Sequence, residues 1–170
     1  MDLLPYGEYA RSLNRKRVSA GVLFHAGDRV LLVEPSYKPT WEIPGGSAEP
    51  EEPPWSTAAR EVAEELGVEW SPGRLLVVDH QLTAGEMPEG LAFVFDGGPI
   101  GDDEVAALVV DGVEVVSVAL VPVEVAVTRL NATLARRVVA ALGAVRGGGL
   151  VFCQDGAPVY SVGSGSSRTS

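Results

Sequence analysis

One cysteine, Cys153, stands among the 170 residues of this chain, and a lone thiol cannot close an internal disulfide. The fold must therefore rest on its apolar core, which suits a reducing compartment. Cys153 reads as an idle, buried thiol with no catalytic part. Long apolar runs are missing too: nothing approaches the roughly 20 residues that span a bilayer. Met1 to Tyr9 lacks the charged-then-apolar pattern of an export signal, so a cytoplasmic setting without membrane attachment is expected. Positive charge is scarce, with 13 Lys and Arg against 23 Asp and Glu and a net charge of −10. Nucleic-acid binding relies on Lys and Arg to neutralise phosphates and is not expected. Nothing in the sequence separates a monomer from a homodimer. The length fits one domain, large enough to bury about two thirds of its unfolded surface.

What the chain does contain is acid in an unusual place. Gly46 to Val68 reads GSAEPEEPPWSTAAREVAEELGV. Pro53 suits the first turn of a helix and Gly67 suits its left-handed end, so a helix over about Pro53–Leu66 is predicted. Trp55, Ala59, Val62 and Leu66 fall at helical spacing and form the expected buried stripe. Glu61, Glu64 and Glu65 crowd a second face, and their repulsion costs a few tenths of a kcal/mol per pair. Glu64 and Glu65 also sit in the last turn, where the helix dipole disfavours anions. Arg60 alone cannot neutralise them. A solvated acidic face is the bland explanation; the sharper one is a divalent cation, which takes carboxylate oxygens, backbone carbonyls and substrate phosphate.

The remaining pattern suggests strands alternating with helices. Val18–Phe24 and Val30–Val33 flank the turn Ala26-Gly27-Asp28 as a hairpin. Leu75–Val78 reads as a strand running towards Leu82, Leu91–Phe95 as its partner, and Val113–Val121 as a further strand. Leu130, Leu134, Val138, Leu142 and Val145 repeat at helical spacing and predict one helix over about Thr128–Val145. Residues 1–17 form an N-terminal segment and 18–146 the domain. Residues 147–160 form a C-terminal extension suited to a hairpin, and the Ser/Gly-rich 161–170 a disordered tail.

The acidic segment matches G-x5-E-x7-R-E-U-x-E-E-x-G-U at every specified position, U being a bulky aliphatic residue. In this it strongly resembles the Nudix hydrolases. The resemblance covers about residues 15 to 145, and the flanking phrases look like actinobacterial members of unassigned substrate. It implies an α/β/α sandwich with a mixed β-sheet between helices. It also implies Mg2+- or Mn2+-dependent hydrolysis of a diphosphate linkage in a nucleoside diphosphate derivative or nucleoside triphosphate. Gly46, Glu61, Glu64 and Glu65 take the places of the metal shell. Arg60 takes that of the arginine pinning the glutamates, and Glu52 that of the acid bracing the loop. One departure is Glu51, where the family usually has glycine; it is expected to alter the bend of the loop.

The base that takes a proton from the attacking water is either Glu61 or Glu65 within the motif or an acid from a later loop. In that loop Asp111 and Glu114 are the candidates. For substrate contact, Trp41, Tyr37 and Phe95 are candidate stacking rings, each equally readable as packing. Arg17 is the candidate phosphate contact from the basic cluster Arg11, Arg15, Lys16 and Arg17. The proline or tyrosine marking the ADP-ribose and diadenosine polyphosphate branches is missing from Ala84-Gly85-Glu86. Isopentenyl diphosphate isomerase shares the fold but needs a cysteine near the site, and Cys153 lies too far along the chain. A nucleotide-sensing domain without catalysis is the non-enzyme alternative; such domains commonly lose motif acids, and this chain keeps all of them.

Overall fold

The structure is a computed structural model that describes residues 4–163. A mixed eight-stranded sheet forms its middle layer. Strands β1 (Arg17–Ala26) and β2 (Arg29–Pro35) make the expected antiparallel hairpin. The short β3 (Gly45–Ser47) pairs with β1 and delivers the chain into helix α2 (Pro54–Leu66). Strands β4 (Leu75–Gln81) and β5 (Gly90–Pro99) are antiparallel partners, and β5 runs parallel to β1. Strand β6 (Val115–Pro122) closes one edge against β2. The other edge is built by β7 (Leu150–Gln154), parallel to β4, and β8 (Ala157–Val162). Parallel neighbours need long crossovers, which is the work of the helices.

Helix α2 covers one face of the sheet. There Ala20, Val22, Phe24, Leu31 and Val33 pack with Ala58, Val62 and Leu66. Helices α4 (Val123–Arg129) and α5 (Ala132–Gly147) cover the other face, with Leu23, Val30, Leu32, Leu76, Val77 and Val94 meeting Leu134, Val138 and Leu142. Strand β2 is buried on both sides, which explains its unbroken run Val30 to Val33.

Several expectations are corrected. The predicted single helix over Thr128–Val145 is two, because Asn131 takes extended backbone and its side chain accepts a hydrogen bond from Leu134 N at 2.9 Å. That is an N-cap, which restarts the helix at Ala132. Strand β6 begins at Val115 rather than Val113, because Asp111 Oδ1 accepts hydrogen bonds from the backbone N–H groups of Val113, Glu114 and Val115 and holds a turn there. Short helices at Tyr6–Ser12 (α1) and Asp102–Ala106 (α3) were not anticipated. Strand β8 carries regular structure to Val162, past the Ser161 boundary of the expected disordered tail; Ser164 to Ser170 lie outside the described residues.

The C-terminal hairpin is tied to the core by charge. Asp79 on β4 is fully buried, and Arg137 of α5 donates to its Oδ2 from Nε at 2.7 Å. Gly156 N donates to the same carboxylate at 3.0 Å. Gly156 has φ of 79°, and a Cβ there would lie 2.2 Å from Thr133 O, so only glycine fits this turn. Cys153 packs in the core, and burial, with Asp79 nearby, pushes its thiol up to about 11. Such a thiol is inert at neutral pH.

Candidate active site on the acidic helix

Helix α2 is seated by Thr57, Ala58, Val62 and Leu66, all buried. Two members of the expected stripe are misplaced. Trp55 has the right angle on the wheel but lies in the first turn and is 55% exposed; Ala59 is half-buried. Glu65 falls close to the buried face, so packing drags a carboxyl out of water.

Arg60 is the hub of the acidic cluster. Its Nε donates to Glu52 Oε1 at 2.9 Å, and its Nη1 to Glu61 Oε1 at 2.9 Å and Glu64 Oε2 at 3.0 Å. Its Nη2 reaches Ser47 O at 3.1 Å and Glu52 Oε2 at 3.0 Å. Glu52 also accepts from Thr57 Oγ1 and from Glu49 N. The Arg60 guanidinium, helped by the Glu49 N–H and Thr57, holds its carboxyl down at about 2. Glu61 is raised by burial against the opposing pull of Arg60. Glu65 receives one hydrogen bond, from Gly45 N at 2.9 Å. Burial, with Glu61, Glu42 and Glu114 adding repulsion, pushes it up to about 8. Gly46 lies against Glu61: a Cβ at position 46 would sit 2.2 Å from Glu61 Oε1. A side chain at position 46 would push the Glu61 carboxyl out of this place.

The loop ahead of α2 keeps its bend despite Glu51, which adopts φ of 65°. This left-handed conformation costs an L-residue about 1–2 kcal/mol and costs glycine almost nothing. Glu51→Gly should therefore raise stability by about 0.5–1 kcal/mol after its larger unfolded-state entropy is counted. Urea melts check this; a loss of stability would mean the side chain makes a compensating contact.

The model of the NUDIX domain matches residues 15–142. The chain belongs to the NUDIX domain family. Over 50 residues it is 58% identical to diphosphoinositol polyphosphate phosphohydrolase 2 of Rattus norvegicus, a match covering 29% of this chain and 28% of that protein. The chain thus spans about a third of the length of the curated relatives it matches. Among solved structures, it is similar to the MutT protein from Methanosarcina mazei Go1, with 27% identity and a TM-score of 0.56 over 71% of this chain and 89% of that one. The NUDIX domain of Shewanella oneidensis NrtR, solved with ADP ribose, has 16% identity and a TM-score of 0.63 over 84% of this chain and 99% of that one, a likeness of fold alone.

NUDIX proteins typically depend on divalent metal. Among the described residues, no three acidic, His or Cys side chains converge into a ready-made metal cage. The cause is visible in Arg60, which draws Glu52, Glu61 and Glu64 onto itself. The donor set nonetheless fits a hard cation: several carboxylates lie within one cluster, and the side-chain-free Gly46 is pressed against Glu61.

Of the two loop acids, Glu114 stands near enough for its charge to raise both Glu61 and Glu65. Asp111 is instead engaged in its own turn, and those backbone N–H groups lower its pKa. A cleft of about 390 Å³ opens on the α5 side of the Gly45–Ser47 strand, and Tyr37 and Arg17 line it. Neither Trp41 nor Phe95 does. Trp41 packs against the α4–α5 core, with the Arg129 guanidinium 4.8 Å from its ring centre. Phe95 is 7% exposed in the core beneath α2. Lys38, Glu42, Gln81 and Arg137 also line the cleft and were missed. Gln81 and Arg137 carry one sequence signal, a polar or charged residue on an otherwise apolar element; Lys38 and Glu42 lie in the irregular segment between β2 and β3 and carry none.

Proposed function

We propose that this protein hydrolyses a diphosphate linkage in a nucleoside diphosphate derivative or nucleoside triphosphate, with Mg2+ or Mn2+. The observation that carries the reading is the Arg60-centred cluster: Glu52, Glu61 and Glu64 on one guanidinium, with Glu65 buried beside Gly45. An ordinary surface helix has no reason to bury a carboxyl at such cost. Glu61, Glu64, Glu65 and the Gly46 carbonyl would hold the ion, which when bound supplies positive charge to offset that developing on phosphate oxygens. Arg60 orients Glu61 and Glu64, and Glu52 fixes Arg60. A carboxylate near the reacting water takes its proton. Glu114 is favoured over Asp111 because its charge reaches Glu61 and Glu65, whereas Asp111 is occupied by three backbone N–H groups.

Two ligand classes come with the similar proteins: diphosphoinositol polyphosphates in the names of the curated relatives, and ADP ribose bound to a structural neighbour. A densely phosphorylated ring needs many unpaired cations. In the cleft Lys38 is paired with Glu42 and Arg137 with Asp79, which leaves Arg17 as its one cation without a carboxylate partner among the described residues, in a chain of net charge −10. This supports the nucleotide class. Among the described residues no helix is long and apolar enough to cross a membrane, and a cytoplasmic setting and the actinobacterial likeness belong to the same proposal.

Turnover of nucleoside diphosphate sugars, nucleoside triphosphates and a diphosphoinositol polyphosphate, each with and without Mg2+, tests the reading. Metal-dependent hydrolysis of a nucleotide is the expected result. Nucleotide binding without turnover would favour the sensing alternative. If Glu114 is the base, Glu114→Gln lowers kcat by about 10²–10⁴-fold with Mg2+ affinity intact. Asp111→Asn keeps kcat and loses stability instead. Near-normal kcat in Glu114→Gln returns the base to Glu61 or Glu65.

A further inference from the structure

One wall of the cleft holds two buried polar atoms that have no aligned hydrogen-bond partner among the described residues. Gln81 Oε1 and Arg137 Nη2 are both inaccessible and without a hydrogen-bond partner. The Arg137 side chain is 10% exposed. Its Nη2 lies 2.6 Å from Asp79 Oδ2, an oxygen it shares with the aligned bond from Nε, so of the two N–H groups on Nη2 at least one is left without a partner. Both residues line the cleft. Asp79 and Gln81 are two apart on β4 and share a face of the sheet. Asp79 therefore holds Arg137 over the face of β4 that also carries Gln81, an anchored donor and an acceptor on one wall of the cleft.

Leaving a buried polar group unpaired costs about 1–3 kcal/mol. Such pairs persist where a ligand completes them, and buried groups of this kind enforce selectivity strongly. The required partner presents an N–H to Gln81 and an acceptor to Arg137. A phosphate oxygen offers no donor, and the Arg137 charge is already balanced by Asp79. A nucleobase edge, with an amino or imino N–H beside a ring nitrogen or carbonyl, offers both.

We infer that Gln81 and Arg137, the latter positioned by Asp79, form a subsite that reads the hydrogen-bonding edge of the substrate's nucleobase. The inference rests on the hydrolase reading for its substrate, but it concerns binding and is tested by binding. The probes are the 5′-diphosphates of adenosine, guanosine, cytidine and uridine, with inorganic diphosphate as the base-free control. Each is titrated by calorimetry, with Mg2+, against the wild type, Gln81→Leu and Arg137→Lys. Lysine keeps a cation against Asp79 and removes Nη2, and leucine keeps the bulk of Gln81 without its amide. In the wild type at least one nucleotide binds about tenfold or more tighter than inorganic diphosphate. Gln81→Leu erases that margin, leaves inorganic diphosphate affinity unchanged and holds or raises the thermal midpoint, since it removes an unpaired buried acceptor; Arg137→Lys erases the margin as well. A margin that survives Gln81→Leu, or a wild type that prefers no nucleotide to inorganic diphosphate, overturns the subsite. Failure of the hydrolase reading is distinguishable, since it leaves a base-dependent binding margin with no turnover of any nucleotide.

Discussion

Glu64→Gln combined with Glu65→Gln should reduce turnover by at least about 10³-fold, equivalent to about 4 kcal/mol of transition-state stabilisation. Both carboxylates lie at the last turn of α2, against the dipole and beside Glu61, where a bound cation would relieve their repulsion. A ligand held only by the folded state raises stability by about 2.7 kcal/mol at a hundredfold excess over its Kd. The wild type should therefore show a rise in Tm with Mg2+, and the double variant none. The metal-free proteins should differ in the opposite sense. Burial raises Glu65 to about 8 from an ordinary 4.5. An acid with a raised folded pKa binds more protons folded than unfolded, so stability falls as pH climbs between those values. Removing it flattens that slope. Metal-free melts from pH 4 to 9, repeated with Mg2+ and compared with kcat, check both halves. A double variant that still gains stability from Mg2+ would move the metal site off α2.

How much of this site was legible in the sequence depended on whether its partners lie close along the chain. Arg60, Glu61, Glu64 and Glu65 share one helix, and Glu52 lies just ahead of it, so spacing alone brought them together. Glu51 was recognisable as a departure, yet its left-handed backbone keeps the bend that glycine would give. The cleft was harder to read. Phe95 and Trp41 were plausible stacking rings, but which face of a strand meets which helix is decided by the sheet order, and that order buries Phe95 under α2. The break before α5 was written in Asn131, a good N-cap, but the apolar repeat from Leu130 onwards masked it. Asp79 and Arg137 were least legible: Asp79 is a lone carboxylate on an apolar strand, Arg137 is one of two adjacent arginines on α5, and 58 residues separate the pair.

That pair carries the other large expected effect. Asp79→Ala should destabilise the fold by about 3–5 kcal/mol, because it leaves the Arg137 guanidinium buried without an anion. It also takes the acceptor from Gly156 N, one of the hydrogen bonds that tie β4 to the β7–β8 turn. Joining two charges in the interior gains little net energy, since desolvation offsets attraction; removing one of them is what costs. Asp79→Leu with Arg137→Met, which removes both charges and keeps the volume, should therefore recover most of the loss. About 1 kcal/mol should remain for the unpaired Gly156 N–H. Guanidinium melts of the single and double variants measure the difference. A single variant within about 1 kcal/mol of wild type would mean that water reaches Asp79 and that the hairpin is held by the β4–β7 ladder and its apolar contacts. A double variant no better than the single would mean that the pair specifies how α5 meets β4, so that the orientation of Arg137 beside Gln81 is fixed by charge and not by packing.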